Sequence, residues 1–132
     1  MRMGKKNKKK TKKKTSNRDK TASQETILKK SDQNQLEQIK VEDSEVISEF
    51  LHKRKTQIMN LLLDDEKTIR ELSEDMDLNP GSVKRYLDSL RKNGLVFQTK
   101  ISQNRWGIRL KYYQTTAKKY IIKFIFPNDS PK

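Results

Sequence analysis

The chain has 132 residues, a formal net charge of +14 and no cysteine. Without cysteine there is neither a disulfide framework nor thiolate chemistry, and the basic N-terminus lacks the apolar region of a secretory signal. No apolar run approaches the roughly 20 residues that a membrane-spanning helix needs, so we expect a cytoplasmic protein.

The charge is distributed unevenly along the chain. Residues 1–20 contain 11 basic residues and one acidic residue, residues 21–67 contain 7 basic and 10 acidic residues, and residues 68–132 contain 13 basic and 6 acidic residues. Two cationic flanks therefore enclose an acidic middle. Such an asymmetry favours a polyanionic partner.

The N-terminal segment is poor in large apolar side chains. Residues 1–35 consist mainly of Lys, Thr, Ser, Asn and Gln, and such a segment buries too little surface to offset its ordering entropy. We expect disorder there, and we treat residues 1–43 as tail and linker, with the fold of 36–43 left open. The lysine run over residues 5–14 is either a solvated tail or a sequence-independent contact to phosphates, and its charge pattern favours the contact to phosphates. The candidate phosphate contacts are Lys8, Lys9, Lys10, Lys12, Lys13 and Lys14.

Apolar content rises from Ser44 onwards. Val46, Ile47, Phe50 and Leu51 have the spacing of one helical face, and a second apolar group begins at residue 58. No Pro or Gly separates the groups, so the pattern predicts one bent helix or two abutting helices.

Two further helices joined by a tight turn are predicted next. Thr68 and Glu71 match a capping box, which predicts a helix start at Thr68. After a turn at residues 77–79, Asn79 is a good N-cap and Pro80 suits the first helical position. Gly94 follows the end of this second helix, where it can adopt the left-handed conformation.

The helix over residues 80–93 is predicted to be apolar on one side and basic on the other. Its inward residues are Val83, Tyr86, Leu87 and Leu90, which are expected to pack against Ile69, Leu72 and Leu78. Its outward residues are Gly81, Arg85, Asp88 and Lys92, with Lys84 beside them, and Ser82 near the start of the helix can contact a base edge or a phosphate. Such a surface suits the major groove of a duplex, where Gly81 allows close approach, Arg85 can pair with guanine and Lys84 can contact phosphate. The alternative is an ordinary solvated face, in which Lys84 pairs with Asp88.

A two-stranded hairpin is predicted after this helix. Alternating apolar and polar residues before and after a polar loop at residues 102–105 indicate two strands. Lys100, Asn104 and Arg105 are candidate nucleic-acid contacts, with Arg105 suited to a narrow minor groove. Trp106 is expected to cover the core at the base of the hairpin.

The last apolar segment is predicted to be a helix from residue 117 to residue 126, followed by a short tail over 127–132. Its apolar residues lie nearly all round a helix, which favours burial on more than one side. We therefore expect a homodimer formed through this segment and the N-terminal helix. The sequence of residues 120–126 also has strand propensity.

These elements predict one domain over residues 44–126. It is mainly α with a small β-hairpin wing: a winged helix-turn-helix with a three-helix core, a two-stranded wing and an extra C-terminal helix. Several stretches of this domain resemble an ArsR-type winged helix-turn-helix regulator in its archaeal form. They are residues 54–62, Thr68 to Leu72, Leu78-Asn79-Pro80-Gly81-Ser82-Val83-Lys84-Arg85-Tyr86-Leu87, Asn93 to Val96, and 107–117.

The resemblance implies a transcription regulator that binds double-stranded DNA and is associated with the nucleoid. Metal-sensing members of that family use Cys and His ligands, whereas His52 is the one histidine here. One histidine does not make a soft metal site, so no metal and no cofactor are expected.

Three other functions are possible for such a chain. An RNA-binding or ribosome-associated winged-helix protein would use the same basic surface on A-form RNA, and a protein-interaction module would use the fold without nucleic acid. An enzyme is the least favoured, because Asn79 to Ser82 form a helix start rather than a phosphate loop, and Asp64, Asp65 and Glu66 fit an exposed turn.

Overall fold

The computed structural model describes residues 25–127, so the six tail lysines named above lie outside the described residues. Within that range, strands β1, β3 and β4 form a three-stranded sheet in that order, and strands β2 and β5 form a parallel pair. The elements in chain order are β1 (Thr26–Lys30), β2 (Ile39–Val41), α1 (Ser44–Glu49), α2 (Lys53–Leu62), α3 (Ile69–Met76), α4 (Pro80–Lys92), β3 (Val96–Gln103), β4 (Arg109–Thr115) and β5 (Tyr120–Ile122).

The described residues form two compact units. One consists of residues 25–29 and 101–110, which include the tip of the β3–β4 hairpin. The other consists of residues 30–100 and 111–127, and it contains all four helices. The prediction of a winged helix-turn-helix is confirmed by α3, the turn, α4 and the hairpin that follows.

The core of the larger unit lies between helices α2, α3 and α4, which contact one another. Apolar side chains from these helices and from the start of β3 and the end of β4 pack into one cluster, which buries them almost completely. Its buried members are Ile58, Met59, Leu62, Leu72, Val83, Leu87, Leu90, Leu95, Val96 and Tyr113. Burial of this kind stabilises each large side chain by about 1.5–3 kcal/mol.

Local side-chain signals position the turn between α3 and α4. The Thr68 hydroxyl accepts from the Glu71 amide (3.1 Å), and the Glu71 carboxylate accepts from the Thr68 amide (2.9 Å), so the predicted capping box is confirmed. Helix α3 ends at Asp77, whose φ of 54° reverses the chain. The Asn79 side chain then accepts from the Ser82 amide and caps α4, with Pro80 in the first turn.

The end of α4 is also built as its sequence predicts. The amide of Leu95 donates to the Leu90 carbonyl (2.9 Å) and that of Gly94 donates to the Arg91 carbonyl (3.0 Å). This is the Schellman arrangement, and it requires the left-handed backbone that Gly94 adopts at φ 75°. The chain therefore leaves α4 directly into β3.

The predicted C-terminal helix over residues 117–126 is wrong. This segment forms the short strand β5, which pairs in parallel with β2 in a register that sets Tyr120 opposite Ile39. The Tyr120 hydroxyl contacts the Leu95 carbonyl, the Thr116 hydroxyl and the Ala117 amide at 2.8–3.0 Å. The aromatic and β-branched residues thus follow their strand propensity once a partner strand is present.

The prediction that residues 1–35 are disordered is wrong over the part of this range that the structure describes, and residues 36–43, whose fold was left open, contain strand β2. Residues 26–30 and 39–41 are strands. Gln35 also bonds within the larger unit, since its side-chain amide nitrogen donates to the Leu63 carbonyl (3.0 Å) and the Thr115 hydroxyl (2.9 Å). Pairing with the edges of other strands provides hydrogen-bond partners for the backbone N–H and C=O groups, so these residues fold although they bury little apolar surface.

Candidate nucleic-acid interface

Helix α4 presents two chemically distinct sides. Val83, Leu87 and Leu90 are at most 1% exposed, whereas Lys84 and Arg85 lie on the exposed side. Ile69 and Leu78 pack against the same core cluster, as predicted. The predicted orientation of the helix is confirmed: its aliphatic side is anchored and its polar side faces solvent.

The N-terminal end of α4 is exposed, and its backbone at Gly81 lies close to the capping side chain of Asn79. A Cβ atom at Gly81 would lie 3.1 Å from the Asn79 side-chain oxygen, which is tighter than ordinary contact. Glycine at this position therefore leaves room for the capping side chain as well as reducing the bulk of the exposed surface. Ser82 is half-buried next to it.

The outward side of α4 carries both paired and unpaired cations. Lys84 lies 2.9 Å from Asp88, an ion pair that the sequence had offered as the alternative to phosphate contact. Within residues 25–127, no carboxylate lies within ion-pair distance of Arg85 or Lys92. The Arg85 guanidinium carbon lies 6.0 Å from the centre of the ring of Tyr86, which is partly buried against the core. Arg85 is therefore available to an incoming acceptor, whereas Lys84 must first break its ion pair with Asp88.

A buried polar cluster holds α4 against the two preceding helices. Glu49, at the end of α1, is only 6% exposed. Its carboxylate accepts from the Ser89 hydroxyl of α4 (2.9 and 3.1 Å) and from the Lys55 ammonium of α2 (3.2 Å). Lys55 also donates to the Ser89 hydroxyl (3.0 Å). We call Glu49, Lys55 and Ser89 the polar cluster, and it joins α1, α2 and α4 at one point.

The polar cluster was not predicted from the sequence. A weak signal existed, because Glu49 lies next to Phe50 in an otherwise apolar helical face and Ser89 lies beside Leu90. Its partners are separated by up to 40 residues in the chain, so nothing local identifies them. The cluster is part of the support of α4 rather than of its outward surface.

Lys100, a predicted nucleic-acid contact, is held by other groups. Its ammonium lies 3.1 Å from Glu66, with 21% of its side chain exposed, and 4.6 Å from the centre of the Tyr112 ring. Thr99 also donates to Glu66. The structure thus places Lys100 in an intramolecular pair and not with the free cations of α4.

The tip of the hairpin belongs to the smaller unit and differs from its predicted form. Strand β3 extends to Gln103, so the loop covers residues 104–108. The Asn104 side chain accepts from the backbone amides of Trp106 (2.9 Å) and Ile108 (3.0 Å). These hydrogen bonds shape the loop. The Arg105 guanidinium carbon lies 4.4 Å from the centre of the Trp106 ring. Trp106 is 64% exposed at the tip, so the expectation that it covers the core is wrong.

Other kinds of site receive no support from the described part of the chain. Between residues 25 and 127 there is no group of three or more His, Asp or Glu side chains placed to hold a metal ion. His52 caps α2, and its ring centre lies 5.1 Å from that of Tyr86. None of the helices in this range has the length and apolarity needed to cross a membrane.

One protein-family model matches the sequence. Residues 52–97, about a third of the chain, match the model of the bacterial regulatory protein family arsR. The matched segment begins at the cap of α2 and ends in the first residues of β3, so it contains the whole helix-turn-helix. No curated protein sequence matches the chain significantly.

Several solved structures resemble part of the chain. Reduced HlyU from Vibrio cholerae is 28% identical over 55% of this chain and 70% of its own, with a TM-score of 0.47. A homodimeric winged helix-turn-helix DNA-binding domain from Mycobacterium bovis, described as a possible ArsR-family transcriptional regulator, is 25% identical over 55% of this chain and 62% of its own, also with a TM-score of 0.47. The transcriptional repressor BigR from Xylella fastidiosa is 19% identical over 55% of this chain and 66% of its own, with a TM-score of 0.45.

Proposed function

We propose that the protein is a DNA-binding transcription regulator that inserts α4 into the major groove of a duplex. The observation that carries this proposal is the outward side of α4, where Arg85 is exposed and has no carboxylate partner among the described residues, while Val83, Leu87 and Leu90 on the opposite side are buried. The match of residues 52–97 to the arsR family model supports the same function. Binding of this kind would associate the protein with the nucleoid.

The exposed groups of α4 take different roles in this proposal. The major groove is about 12 Å wide and admits one helix, which reads bases with residues of its N-terminal half. Gly81 lets the backbone approach the duplex, Ser82 donates to a base edge or a phosphate, and Arg85 donates two hydrogen bonds to a guanine. Lys84 and Lys92 contact the phosphates on either side, because an ammonium is a point charge without a preferred plane.

Contacts outside α4 add affinity without sequence preference. Arg105 at the hairpin tip is exposed and cationic, and we assign it to the minor groove or the adjacent backbone, with Asn104 shaping the loop that carries it. The lysine run of the tail is assigned to phosphates, since six of its lysines lie within seven consecutive positions, from Lys8 to Lys14. Each neutralised phosphate releases counterions, so these contacts are strongly salt-dependent.

A salt titration on two nucleic acids tests the proposal. Fluorescence anisotropy would give the dissociation constant for a pool of duplex DNA and for a structured RNA of equal charge, at matched salt concentrations. We expect tighter binding to DNA, with log K falling linearly against log salt at about −0.9 per phosphate contacted. Tighter binding to RNA at every salt concentration would favour the RNA-binding alternative, and the absence of binding to either would favour a protein-interaction module.

A truncated chain lacking residues 1–20 separates the tail from the domain in the same titration. If the six lysines each neutralise a phosphate, the slope should flatten by about 5, from six times about 0.9. The sequence preference should stay unchanged, because phosphate contacts carry no base information. An unaltered slope would mean that the tail is a solvated segment.

We also propose that the protein is a homodimer formed through its C-terminal segment and the end of α1. Five apolar side chains of the C-terminal segment are each more than a third exposed, with Phe124 at 69% and Phe126 at 85%, and Leu51 after α1 is 81% exposed. Monomeric proteins rarely leave large apolar patches open to water. The five are Ile121, Ile122, Phe124, Ile125 and Phe126.

Sedimentation equilibrium tests the dimer. The wild-type chain should have twice its sequence mass of 15.6 kDa, and Phe124→Lys should shift it to the monomer, because a charge in an apolar interface is costly to desolvate. Ile108→Lys is the matched control, since Ile108 is 56% exposed but lies at the hairpin tip. A monomeric wild-type chain would contradict the proposal.

A further inference from the structure

We propose that the tip of the β3–β4 hairpin is a stacking site for an unpaired nucleobase, with Trp106 as the platform. The inference rests on the proposed function in that the partner is a nucleic acid. It goes further in naming a structural feature of the target, a base whose face is accessible. It uses only residues of the smaller unit.

The loop holds Trp106 in an ordered, outward position. Asn104 fixes the backbone on both sides of the tryptophan by accepting from the amides of residues 106 and 108. The Gly107 amide donates to the Asn104 carbonyl (3.0 Å), and its carbonyl accepts from the Gln103 side chain (3.0 Å). Gly107 has a φ of 82°, which favours glycine there. Ordering the loop in advance lowers the entropy lost when a ligand stacks on the ring.

The indole is exposed at the tip of the hairpin, beside the exposed side chain of Ile108. The Arg105 guanidinium lies over the ring, 4.4 Å from its centre, yet 64% of the Trp106 residue remains exposed. A large aromatic side chain gains most from burial, so its presentation at a loop tip indicates a partner that covers it. An arginine against an aromatic ring is a combination that nucleic-acid grooves use for base stacking.

The charge around the tip favours a polyanion over a protein surface as that partner. The described residues of the smaller unit include three cations, Lys29, Arg105 and Arg109, and one anion, Glu25. The Glu25 carboxylate accepts from the Ser102 hydroxyl (2.9 Å). Phosphates would be attracted to this surplus of positive charge in the unit that carries the indole.

Stacking requires a base that has left the duplex stack. In a continuous duplex both faces of each base are covered by its neighbours, whereas bulged, looped or terminal bases expose a face. Trp106 would therefore recognise a duplex with an unpaired nucleotide. Such stacking contributes about 1–3 kcal/mol of binding free energy per base, equivalent to roughly 5- to 150-fold in affinity, and it tolerates any of the bases.

Intrinsic fluorescence reports on the tip directly, because Trp106 is the single tryptophan of the chain. The full-length protein would be titrated with a duplex DNA carrying a one-nucleotide bulge and with the same duplex without the bulge. Anisotropy of a labelled DNA measures binding, and tryptophan emission measures stacking. We expect the bulged duplex to quench the emission strongly and to bind about 10-fold more tightly than the continuous duplex.

Variants separate stacking from simple charge attraction. Trp106→Ala should abolish the preference for the bulge, Trp106→Phe should keep part of it, and Ile108→Ala should keep all of it. Equal affinity for both duplexes without quenching would overturn the inference while leaving the proposed function intact, and a protein partner would then have to cover Trp106. No anisotropy change with either duplex would instead overturn the proposed function.

Discussion

Replacing Lys55 with Ala is expected to lower the free energy of unfolding by about 3–5 kcal/mol. Lys55 is the cation of the polar cluster, and its side chain is 17% exposed while that of Glu49 is 8% exposed. Removing the ammonium leaves the buried carboxylate with Ser89 as its remaining cluster partner. A buried charge without its counter-ion is far more costly than the intact pair is favourable.

Urea denaturation followed by far-ultraviolet circular dichroism measures this effect. Lys53→Ala is the matched control, because it removes an exposed lysine from the same helix and should change stability by no more than about 0.5 kcal/mol. The double variant Glu49→Gln with Lys55→Met, which removes both charges, should recover much of the loss. Equal stability of Lys55→Ala and Lys53→Ala would show that the polar cluster does not support α4.

Replacing Arg85 with Ala should weaken binding to a preferred duplex by about 1–3 kcal/mol, or roughly 5- to 150-fold. Arg85 lies on the exposed side of α4, one turn before Ser89, and among residues 25–127 it has no carboxylate partner to release. Loss of its planar fork removes two hydrogen bonds that alanine does not replace. Binding to unrelated duplexes should fall far less, because those complexes depend on phosphate contacts.

Arg54→Ala serves as the control for net charge. Arg54 lies on α2, is exposed, and bonds to Gln57 of the same helix. The Arg54→Ala variant removes the same charge as Arg85→Ala, but from a helix that is not assigned to the groove. We expect it to reduce affinity for all duplexes slightly and equally, and a matching loss with both variants would reduce the role of Arg85 to general electrostatics.

The helix-turn-helix was predictable because its signals are local. Thr68 and Glu71 are three residues apart, Asn79 and Pro80 are adjacent, and Gly94 follows the last turn of α4. Each of these residues fixes the backbone within its own turn, so the sequence determines where α3 and α4 begin and end. The burial of Val83, Leu87 and Leu90 then follows from their helical spacing.

The strands at the two ends of the described chain were not predictable in the same way. Strand β5 exists because Tyr120 meets Ile39, a residue 81 positions earlier. A single sequence does not reveal such a pairing, and without it the same apolar residues are equally consistent with an amphipathic helix. The strand at residues 39–41 depends on the same pairing, so the fold of residues 36–43 was not predictable from the sequence either.

The hairpin was predicted but its tip was misjudged. Alternation located β3 and β4, yet the loop lies two residues later than its polar composition suggested, at 104–108. That shift moves Trp106 from the base of the hairpin to its tip. Tryptophan more often covers a core, whereas here the loop shaped by Asn104 leaves it exposed.

The most direct measurement is the sequencing of duplexes selected from a random pool by the wild-type chain, Arg85→Ala and Arg54→Ala. If the outward side of α4 reads bases, the wild type and Arg54→Ala will enrich the same sites with a guanine at a fixed position, and Arg85→Ala will lose that guanine. If all three proteins enrich the same sequences with equal affinity, Arg85 does not read the duplex and the assignment of α4 to the major groove is wrong.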